Sequence, residues 1–196
     1  MELRLFQYIP VTRSEGPGVR ACIQVQGCPI RCPDCAVPQT WPDDGGVLVD
    51  TVALAKQILE GRPRVEGVTF LGGEPFAQAT ALAEIGRMIK PHGLSVVTFT
   101  GHRRDDIEKA SRKDFNALLE VTDLLIDGPF KREQIDFSRP WVGSTNQRFH
   151  FLTDRYLDLA PRLDKLPNKI EIRLRPDGRI LINGLAPIGD LRSLIQ

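Results

Sequence analysis

Three cysteines stand close together near the beginning of the chain, at Cys28, Cys32 and Cys35, with the spacing C-x3-C-x2-C. In a loop this short, each thiolate can bind one iron of a cubane [4Fe–4S] cluster. The fourth iron would then have no protein ligand and could accept a substrate, much as a catalytic zinc ion keeps one open position. The spacing therefore predicts an iron–sulfur cluster with one open iron.

The fourth cysteine of the chain, Cys22, leaves two other interpretations open. A structural zinc ion takes four ligands, and Cys22 could complete that set with the three loop cysteines. A cluster used only for electron transfer also takes four cysteines as a rule. Cys22 lies within a predicted strand, however, where a free cysteine commonly behaves as a small buried hydrophobe. The cluster with an open iron is therefore favoured, and a non-catalytic metal-binding module remains an alternative.

A second unusual turn has the sequence Gly72-Gly73-Glu74-Pro75. Two glycines let the backbone approach a ligand closely because no Cβ stands in the way. Glu74 adds a negative charge that would attract an ammonium group, and Pro75 fixes the entry to the next segment. An ordinary β-turn is the alternative interpretation. Because this turn follows the strand after the cysteine loop, a binding function is favoured.

Both motifs need a scaffold that brings them together. Four apolar runs, rich in β-branched side chains and often bounded by glycine, predict strands. Amphipathic segments separate the runs, and this alternation is typical of right-handed βαβ crossovers and a parallel sheet. Ligands then gather at the carboxyl ends of the strands, where both motifs lie. The predicted strands span residues 20–26, 67–71, 94–100 and 123–127, with an additional edge strand at 4–9.

The predicted helices lie between these strands. Asp50 is a candidate N-cap for a helix over residues 51–59, and Gly61 is a candidate stop. A second helix is expected over 78–90, where four large apolar side chains share one face at helical spacing. A third is expected over 113–120.

Beyond the last predicted strand the periodicity breaks down. Residues 128–169 predict polar, proline-containing loops with one short helix. Residues 169–183 then alternate apolar and polar side chains on both sides of Pro176-Asp177-Gly178. This pattern predicts a β-hairpin that packs on the main sheet as an appendage.

The whole chain has the composition of an ordinary soluble domain, with 196 residues of which 41% are hydrophobic and 26% charged. That length supports one substantial core and is short for two domains. We therefore expect a single α/β domain over residues 1–196. Its core is expected over about 14–150 and a C-terminal extension over about 151–196.

Charge and targeting signals limit the partners and the location. The 26 Lys and Arg residues balance 25 Asp and Glu residues, so the net charge is +1. This balance gives no electrostatic case for nucleic acid or an anionic membrane as the main partner. The first residues lack the pattern of a signal peptide, and no stretch approaches the ~20 apolar residues of a membrane span. We expect a cytoplasmic protein with neither nucleic acid nor membrane among its partners.

Taken together, the cysteine loop and the Gly-Gly-Glu-Pro turn resemble the motifs of the radical S-adenosylmethionine (SAM) superfamily. Further motifs narrow the resemblance to the activating proteins of anaerobic ribonucleotide reductase, relatives of the pyruvate formate-lyase activating enzyme. The resemblance covers residues 14 to about 150. The additional motifs are Gly16-Pro17-Gly18-Val19-Arg20, Pro38-Gln39-Thr40-Trp41, Thr100-Gly101, Leu125-Ile126-Asp127-Gly128-Pro129-Phe130 and Gly143-Ser144-Thr145-Asn146-Gln147-Arg148.

The resemblance implies a partial (β/α) barrel and a defined chemistry. SAM would chelate the open iron through its amino nitrogen and carboxylate. Gly72, Gly73 and Glu74 would receive the amino group, and Thr100 and Asp127 would lie near the sugar or the methionine carboxylate. An electron, supplied by a flavodoxin or ferredoxin, would split SAM into methionine and a 5′-deoxyadenosyl radical. In such activators the radical removes a hydrogen from a glycine Cα of a partner glycyl radical enzyme.

Some features of this chain leave alternatives open. Asp34 stands where many radical SAM proteins have an aromatic residue before the third cysteine. The extension beyond residue 150 could close the site over a small molecule or a peptide, which would be a different substrate class. For Asp127 the alternative interpretation is a helix or turn cap. Arg148, beside Asn146 and Gln147, could bind a carboxylate or the partner, and the alternative interpretation is an ordinary surface arginine.

Overall fold

The chain folds into a mixed sheet covered by helices, with a separate hairpin. The computed structural model describes residues 1–174, 177–178 and 180–185. Its strands are β1 (Glu2–Thr12), β2 (Arg20–Val25), β3 (Val47–Asp50), β4 (Gly67–Gly72), β5 (Ser95–Phe99), β6 (Leu124–Asp127), β7 (Arg148–Phe151), β8 (Ile170–Leu174) and β9 (Ile180–Gly184). Its helices are α1 (Thr51–Glu60), α2 (Ala79–Ile89), α3 (Arg104–Ala110) and α4 (Lys113–Val121).

The main sheet has seven strands in the order β3-β1-β2-β4-β5-β6-β7. Its centre, β2-β4-β5-β6, is parallel, whereas β1 runs antiparallel to β2 and β7 antiparallel to β6. The predicted α/β class and parallel sheet are confirmed. The described strands form an open sheet with β3 and β7 at its edges, so its curvature into a partial barrel stays a prediction.

The central strands lie where the sequence predicts them, each within one residue at either end. The flanking strands differ from expectation. The segment predicted as an edge strand at 4–9 is longer, and β3 pairs along its outer side, so β1 is not the edge. Neither β3 nor β7, each four residues long, was predicted from the sequence.

Helices cover one face of the sheet and enclose the larger core. Asp50 caps α1 as predicted, since its carboxylate accepts a hydrogen bond of 2.9 Å from the backbone N–H of Ala53. On α2 the predicted apolar face is buried: Leu82, Ile85 and Ile89 have no exposed surface. No helix in the described part of the chain is long and apolar enough to cross a membrane.

The opposite face of the sheet carries a smaller apolar cluster. Val97 and Phe99 of β5 and Leu124 and Ile126 of β6 pack there against Val142 from the following loop. Side chains alternate between the two faces of a strand, so a strand covered on both faces is apolar throughout. This explains why these segments appear in the sequence as continuous apolar runs.

The predicted C-terminal hairpin is present as β8 and β9, which pair antiparallel. Within its predicted turn, Pro176 lies outside the described residues. Asn183 donates hydrogen bonds to Thr12 (2.9 Å) and Ser14 (2.6 Å), and the N–H of Gly184 donates to Glu15 (2.9 Å). Thr12 pairs with Arg20 at the start of β2, so the hairpin lies at the amino ends of the parallel strands.

That position bears on the hypothesis that the extension beyond residue 150 closes the site. The site motifs follow the carboxyl ends of the parallel strands, and the hairpin lies at the other end. The hairpin therefore does not cover them, and the hypothesis is wrong for this part of the extension. Residues 186–196 lie outside the described residues.

Candidate active site

The cysteine loop begins directly after β2 and curls tightly. Gly27, at its base, has φ +92°, and Arg31 and Asp34 also lie in the left-handed region, at +50° and +57°. The N–H of Cys28 donates to the carbonyl of Trp41 (3.2 Å), which closes the loop on its far side. All four cysteines are free thiols. A short segment with three left-handed residues can direct several thiols toward a common centre.

Backbone N–H groups face two of the three loop sulfurs. The Cys28 thiol receives hydrogen bonds from the N–H groups of Ile30 and Arg31, and the Cys32 thiol receives one from Phe130. Burial raises the pKa of both thiols above the ordinary value, and these donors counteract the rise. Donors aimed at sulfur favour its negatively charged form, the form that binds iron. The loop therefore fits a thiolate-bound cluster.

A mononuclear metal site fits less well. Among the described residues, no three Cys, His, Asp or Glu side chains are placed to share one metal ion. Cys22 lies inside β2 opposite Thr69 with no exposed surface, and burial raises the pKa of its thiol well above the ordinary value. It is thus a core residue, apart from the loop. A cubane binds each cysteine to a different iron, so it does not need the ligands gathered around one ion.

The Gly-Gly-Glu-Pro turn is joined to the base of the cysteine loop. The N–H of Gly73 donates to Val25 (2.8 Å), and the N–H of Glu74 donates to the carbonyl of Gly27 (2.9 Å). A Cβ on Gly73 would lie 2.3 Å from that carbonyl oxygen, and one on Gly72 would lie 2.6 Å from the nitrogen of Val25. The glycines thus allow close approach between the two motifs. Their predicted contact with a ligand stays a prediction.

Glu74 joins the turn to the end of the next strand. Its side chain is 1% exposed and accepts hydrogen bonds from Phe76 N–H (2.8 Å), the Thr100 hydroxyl (2.8 Å) and Gly101 N–H (2.9 Å). Burial raises the pKa of this carboxyl, while the nearby His102 and the three donors lower it. The structure therefore brings the predicted residues Glu74 and Thr100 into direct contact.

Asp127 ends β6 and is 4% exposed. Its Oδ2 accepts a hydrogen bond of 2.6 Å from the N–H of Arg104, in the first turn of α3, and lies 3.1 Å from His150 Nε2. Burial alone would raise the pKa of Asp127, but His150 and the Arg104 N–H outweigh it, so the pKa lies below its ordinary value. The carboxylate thus acts as a helix cap, the alternative interpretation. Its contact with SAM stays a prediction.

A shallow cleft adjoins Asp127. Its lining includes Arg103, Asp105, Arg148 and His150. Arg148 therefore lies beside Asp127, as their pairing across β6 and β7 requires. The role of Arg148 in binding a carboxylate or a partner stays a prediction.

Asp34, which replaces the expected aromatic residue, forms an ion pair. Its Oδ1 lies 2.9 Å from Nη1 of Arg132, which is 98 residues away in the chain. The two side chains are 50% and 69% exposed, so the pair contributes little stability by itself. The sequence did not predict that the segment after β6 reaches the cysteine loop through Phe130 and Arg132. The motifs at 125–130 and 143–148 indicated that this segment matters, but they did not indicate which residues it contacts.

Comparison with known proteins agrees with this geometry. The family model described as a 4Fe-4S single cluster domain matches residues 14–150. An anaerobic ribonucleoside-triphosphate reductase-activating protein from Haemophilus influenzae is 32% identical over 156 residues, which cover 76% of this chain and 97% of the relative. The corresponding protein of Escherichia coli (strain K12) is 29% identical over 154 residues, 74% of this chain and 97% of the relative.

A more distant match comes from a second kind of activating enzyme. The pyruvate formate-lyase-activating enzyme of Clostridium pasteurianum is 32% identical over 116 residues, which cover 57% of this chain and 46% of the relative. The residues matched by the family model, 14–150, include the cysteine loop and the Gly-Gly-Glu turn. This chain therefore belongs to the 4Fe–4S single-cluster family of radical SAM activating enzymes.

Proposed function

We propose that this enzyme reductively cleaves SAM and uses the resulting radical to generate a glycyl radical on a partner enzyme, with an anaerobic ribonucleotide reductase as the first candidate. One observation carries the proposal. A three-cysteine loop and a Gly-Gly-Glu turn are hydrogen-bonded together at the carboxyl ends of adjacent parallel strands. The support for the partner is that relatives matched over 97% of their length are named as activating proteins of that reductase.

In this proposal Cys28, Cys32 and Cys35 hold three irons of a [4Fe–4S] cluster. When bound, the cluster supplies the electron, received from a flavodoxin or ferredoxin, that splits SAM into methionine and a 5′-deoxyadenosyl radical. The Gly72-Gly73 backbone, beside the cysteine loop, would accept hydrogen bonds from the amino group of SAM. The chain's own task is to orient SAM and to exclude water from the radical.

Glu74, Thr100 and Asp127 complete the proposed SAM site. Glu74 is buried and would supply a negative charge behind the turn, which favours the N–H groups of an iron-bound amino nitrogen there. Thr100 orients Glu74 through its hydroxyl. Asp127, which holds the start of α3, would lie near the sugar or the carboxylate of SAM. We also propose that residues 1–196 form one domain whose parallel strands curve into a partial (β/α) barrel.

Anaerobic reconstitution provides the first test. Protein loaded with iron and sulfide, reduced with dithionite and given SAM is expected to release 5′-deoxyadenosine, with about four irons per chain. Cys28→Ser should lose both the cluster and the product, because serine replaces an iron ligand. Cys22→Ser is the matched control and should keep both, because Cys22 lies in the core away from the loop. A loaded protein that yields no 5′-deoxyadenosine, or one that binds zinc in place of iron, would contradict the proposal.

The partner requires a separate measurement. With an anaerobic ribonucleotide reductase deuterated at its radical glycine, deuterium should appear in 5′-deoxyadenosine, and a glycyl radical should be visible by electron paramagnetic resonance. Deuterium transfer from a labelled small molecule or peptide, and none from the reductase, would overturn the partner assignment. It would leave the SAM cleavage itself intact.

A further inference from the structure

One segment outside the two main motifs reaches the cluster loop. Residues 128–132 follow β6 and contact the loop at two points. The backbone N–H of Phe130 donates to the sulfur of Cys32, and Arg132 pairs with Asp34 at 2.9 Å. We call residues 128–132 the cluster-facing segment. The Phe130 N–H comes from outside the cysteine loop, whereas the donors to the Cys28 sulfur, the N–H groups of Ile30 and Arg31, belong to the loop itself.

The 143–147 turn holds this segment from behind. Asn146 Nδ2 donates to the carbonyl of Pro129 (2.8 Å), and Gln147 Nε2 donates to that of Gly128 (3.3 Å). Arg139 stabilises the 143–147 turn, because its guanidinium donates hydrogen bonds of 2.9 Å to the carbonyls of Ser144 and Gln147. Both carbonyls at the start of the cluster-facing segment are therefore fixed by side chains of one turn.

The bond from Asn146 also fixes the direction of the Phe130 N–H. The carbonyl of Pro129 and the N–H of Phe130 belong to the same peptide group, and no cis peptide bond occurs in the described chain. In a trans peptide these two groups point in opposite directions. Asn146 thus holds one side of the peptide plane while Cys32 lies on the other. A hydrogen bond to the carbonyl also polarises the amide and strengthens its N–H as a donor.

The Asn146 side chain has little else to hold it. Its Oδ1 is buried and has no hydrogen-bond partner among the described residues. An unpaired buried acceptor costs free energy. The asparagine therefore contributes through its Nδ2 donor, and that donor is directed at Pro129.

We propose that Asn146 is a positioning residue that raises the reduction potential of the cluster by holding the Phe130 N–H against Cys32. This inference rests on the proposed function, because it takes Cys32 as a cluster ligand. Reduction adds one electron, and an N–H dipole aimed at a ligand sulfur stabilises the added negative charge. Loss of the donor therefore makes the cluster harder to reduce. The substrate and the overall reaction are unchanged.

Redox titration of the reconstituted full-length protein without SAM tests the inference. Phe130→Pro removes the N–H, and Phe130→Ala keeps it while removing the ring. We expect a more negative midpoint potential for Phe130→Pro and for Asn146→Ala, each at full iron content, and an unchanged value for Phe130→Ala. Thr145→Ala, an exposed neighbour in the same turn, is the matched control for Asn146→Ala and should also titrate as the wild type.

The double variant Asn146→Ala/Phe130→Pro distinguishes positioning from simple support of the loop. Both changes act on one peptide, so the double variant should titrate like Phe130→Pro alone. Additive shifts, an unchanged potential in Asn146→Ala, or an equal shift in Phe130→Ala would overturn the inference. If Phe130→Pro does not load a cluster, the comparison of Asn146→Ala with Thr145→Ala decides by itself. Because no SAM is present, the result is independent of whether the protein cleaves SAM.

Discussion

Glu74 shows how one buried side chain can organise a site. Its two carboxylate oxygens accept three hydrogen bonds, from Phe76, Thr100 and Gly101, and so connect the ends of β4 and β5. Gly101 in turn packs on Ile30 of the cysteine loop. Glu74 therefore affects the shape of the cluster site even where it does not contact the cluster.

At this position glutamine cannot replace glutamate without cost. In Glu74→Gln one acceptor oxygen becomes an NH₂ group, which would face either the Gly101 N–H or the donors on the other oxygen. We expect a loss of about 1–3 kcal/mol in the free energy of unfolding, because buried donors are left without partners. Thr100→Val removes a single hydroxyl donor from the carboxylate and should cost less. Chemical unfolding of the loaded variants measures both, and a Gln variant as stable as wild type would refute this role.

At the scale of elements, the close contact of two turns defines the site. The Gly73 N–H and the Glu74 N–H bond to Val25 and Gly27, and glycine at 73 makes that approach possible. The contact joins the end of β4 to the start of the cysteine loop. Any side chain at Gly73 would push the two apart.

Gly73→Ala should therefore impair cluster assembly more than folding. Its Cβ would lie 2.3 Å from the Gly27 carbonyl oxygen, which belongs to the backbone and can move only with the cysteine loop. We expect a substantial loss of bound iron, measured per chain after reconstitution. Gly61→Ala is the matched control, because its Cβ meets no atom closer than 3.3 Å and its backbone has a negative φ of −76°. Iron content in Gly73→Ala equal to that of Gly61→Ala would count against this account.

The same elements show what the sequence could and could not predict. The central strands are buried on both faces, so each appears as an apolar run. Helix α3, in contrast, has no capping side chain at its own N-terminus, and the cap comes from Asp127 on β6. The sequence around α3 therefore lacks an N-cap signal, although Asp105 and Asp106 lie in its first turn. Likewise, the contact of Glu74 with Thr100 depends on the strand order, which a single sequence does not reveal.

For the whole molecule, the parallel strands separate two polar regions. The candidate site lies at their carboxyl ends. At their amino ends Arg20 is fully buried, and its guanidinium donates to Thr69, Ser95 and Tyr156 among other acceptors. The hairpin docks at that same end through Glu15 and its neighbours. Changes in hairpin docking should therefore leave the cluster site unaffected.

Glu15 makes this docking dependent on pH. Burial raises the pKa of its carboxyl above the ordinary value of 4.5, and the charge of Glu171 adds to the rise. Gly184 N–H, Asn183 and Arg173 act in the opposite direction without cancelling it. A carboxyl with a raised pKa in the docked state contributes stability that is complete below pH 4.5 and is lost as the pH rises through the raised pKa.

Hydrogen exchange of the β9 amides should therefore show protection that declines as the pH rises above 4.5 and through the raised pKa of Glu15, after correction for the intrinsic exchange rate. Glu171 does not supply this slope, because its pKa lies below the ordinary value and it is already ionised in this range. Glu15→Gln keeps an acceptor for the Gly184 N–H but cannot ionise, so its protection should not change with pH. Amides of β4, in the buried centre of the sheet, serve as the internal reference. If protection changes equally with pH in the wild type and in Glu15→Gln, another group causes the pH dependence. Iron content that is the same in both proteins would confirm that the two ends of the sheet act independently.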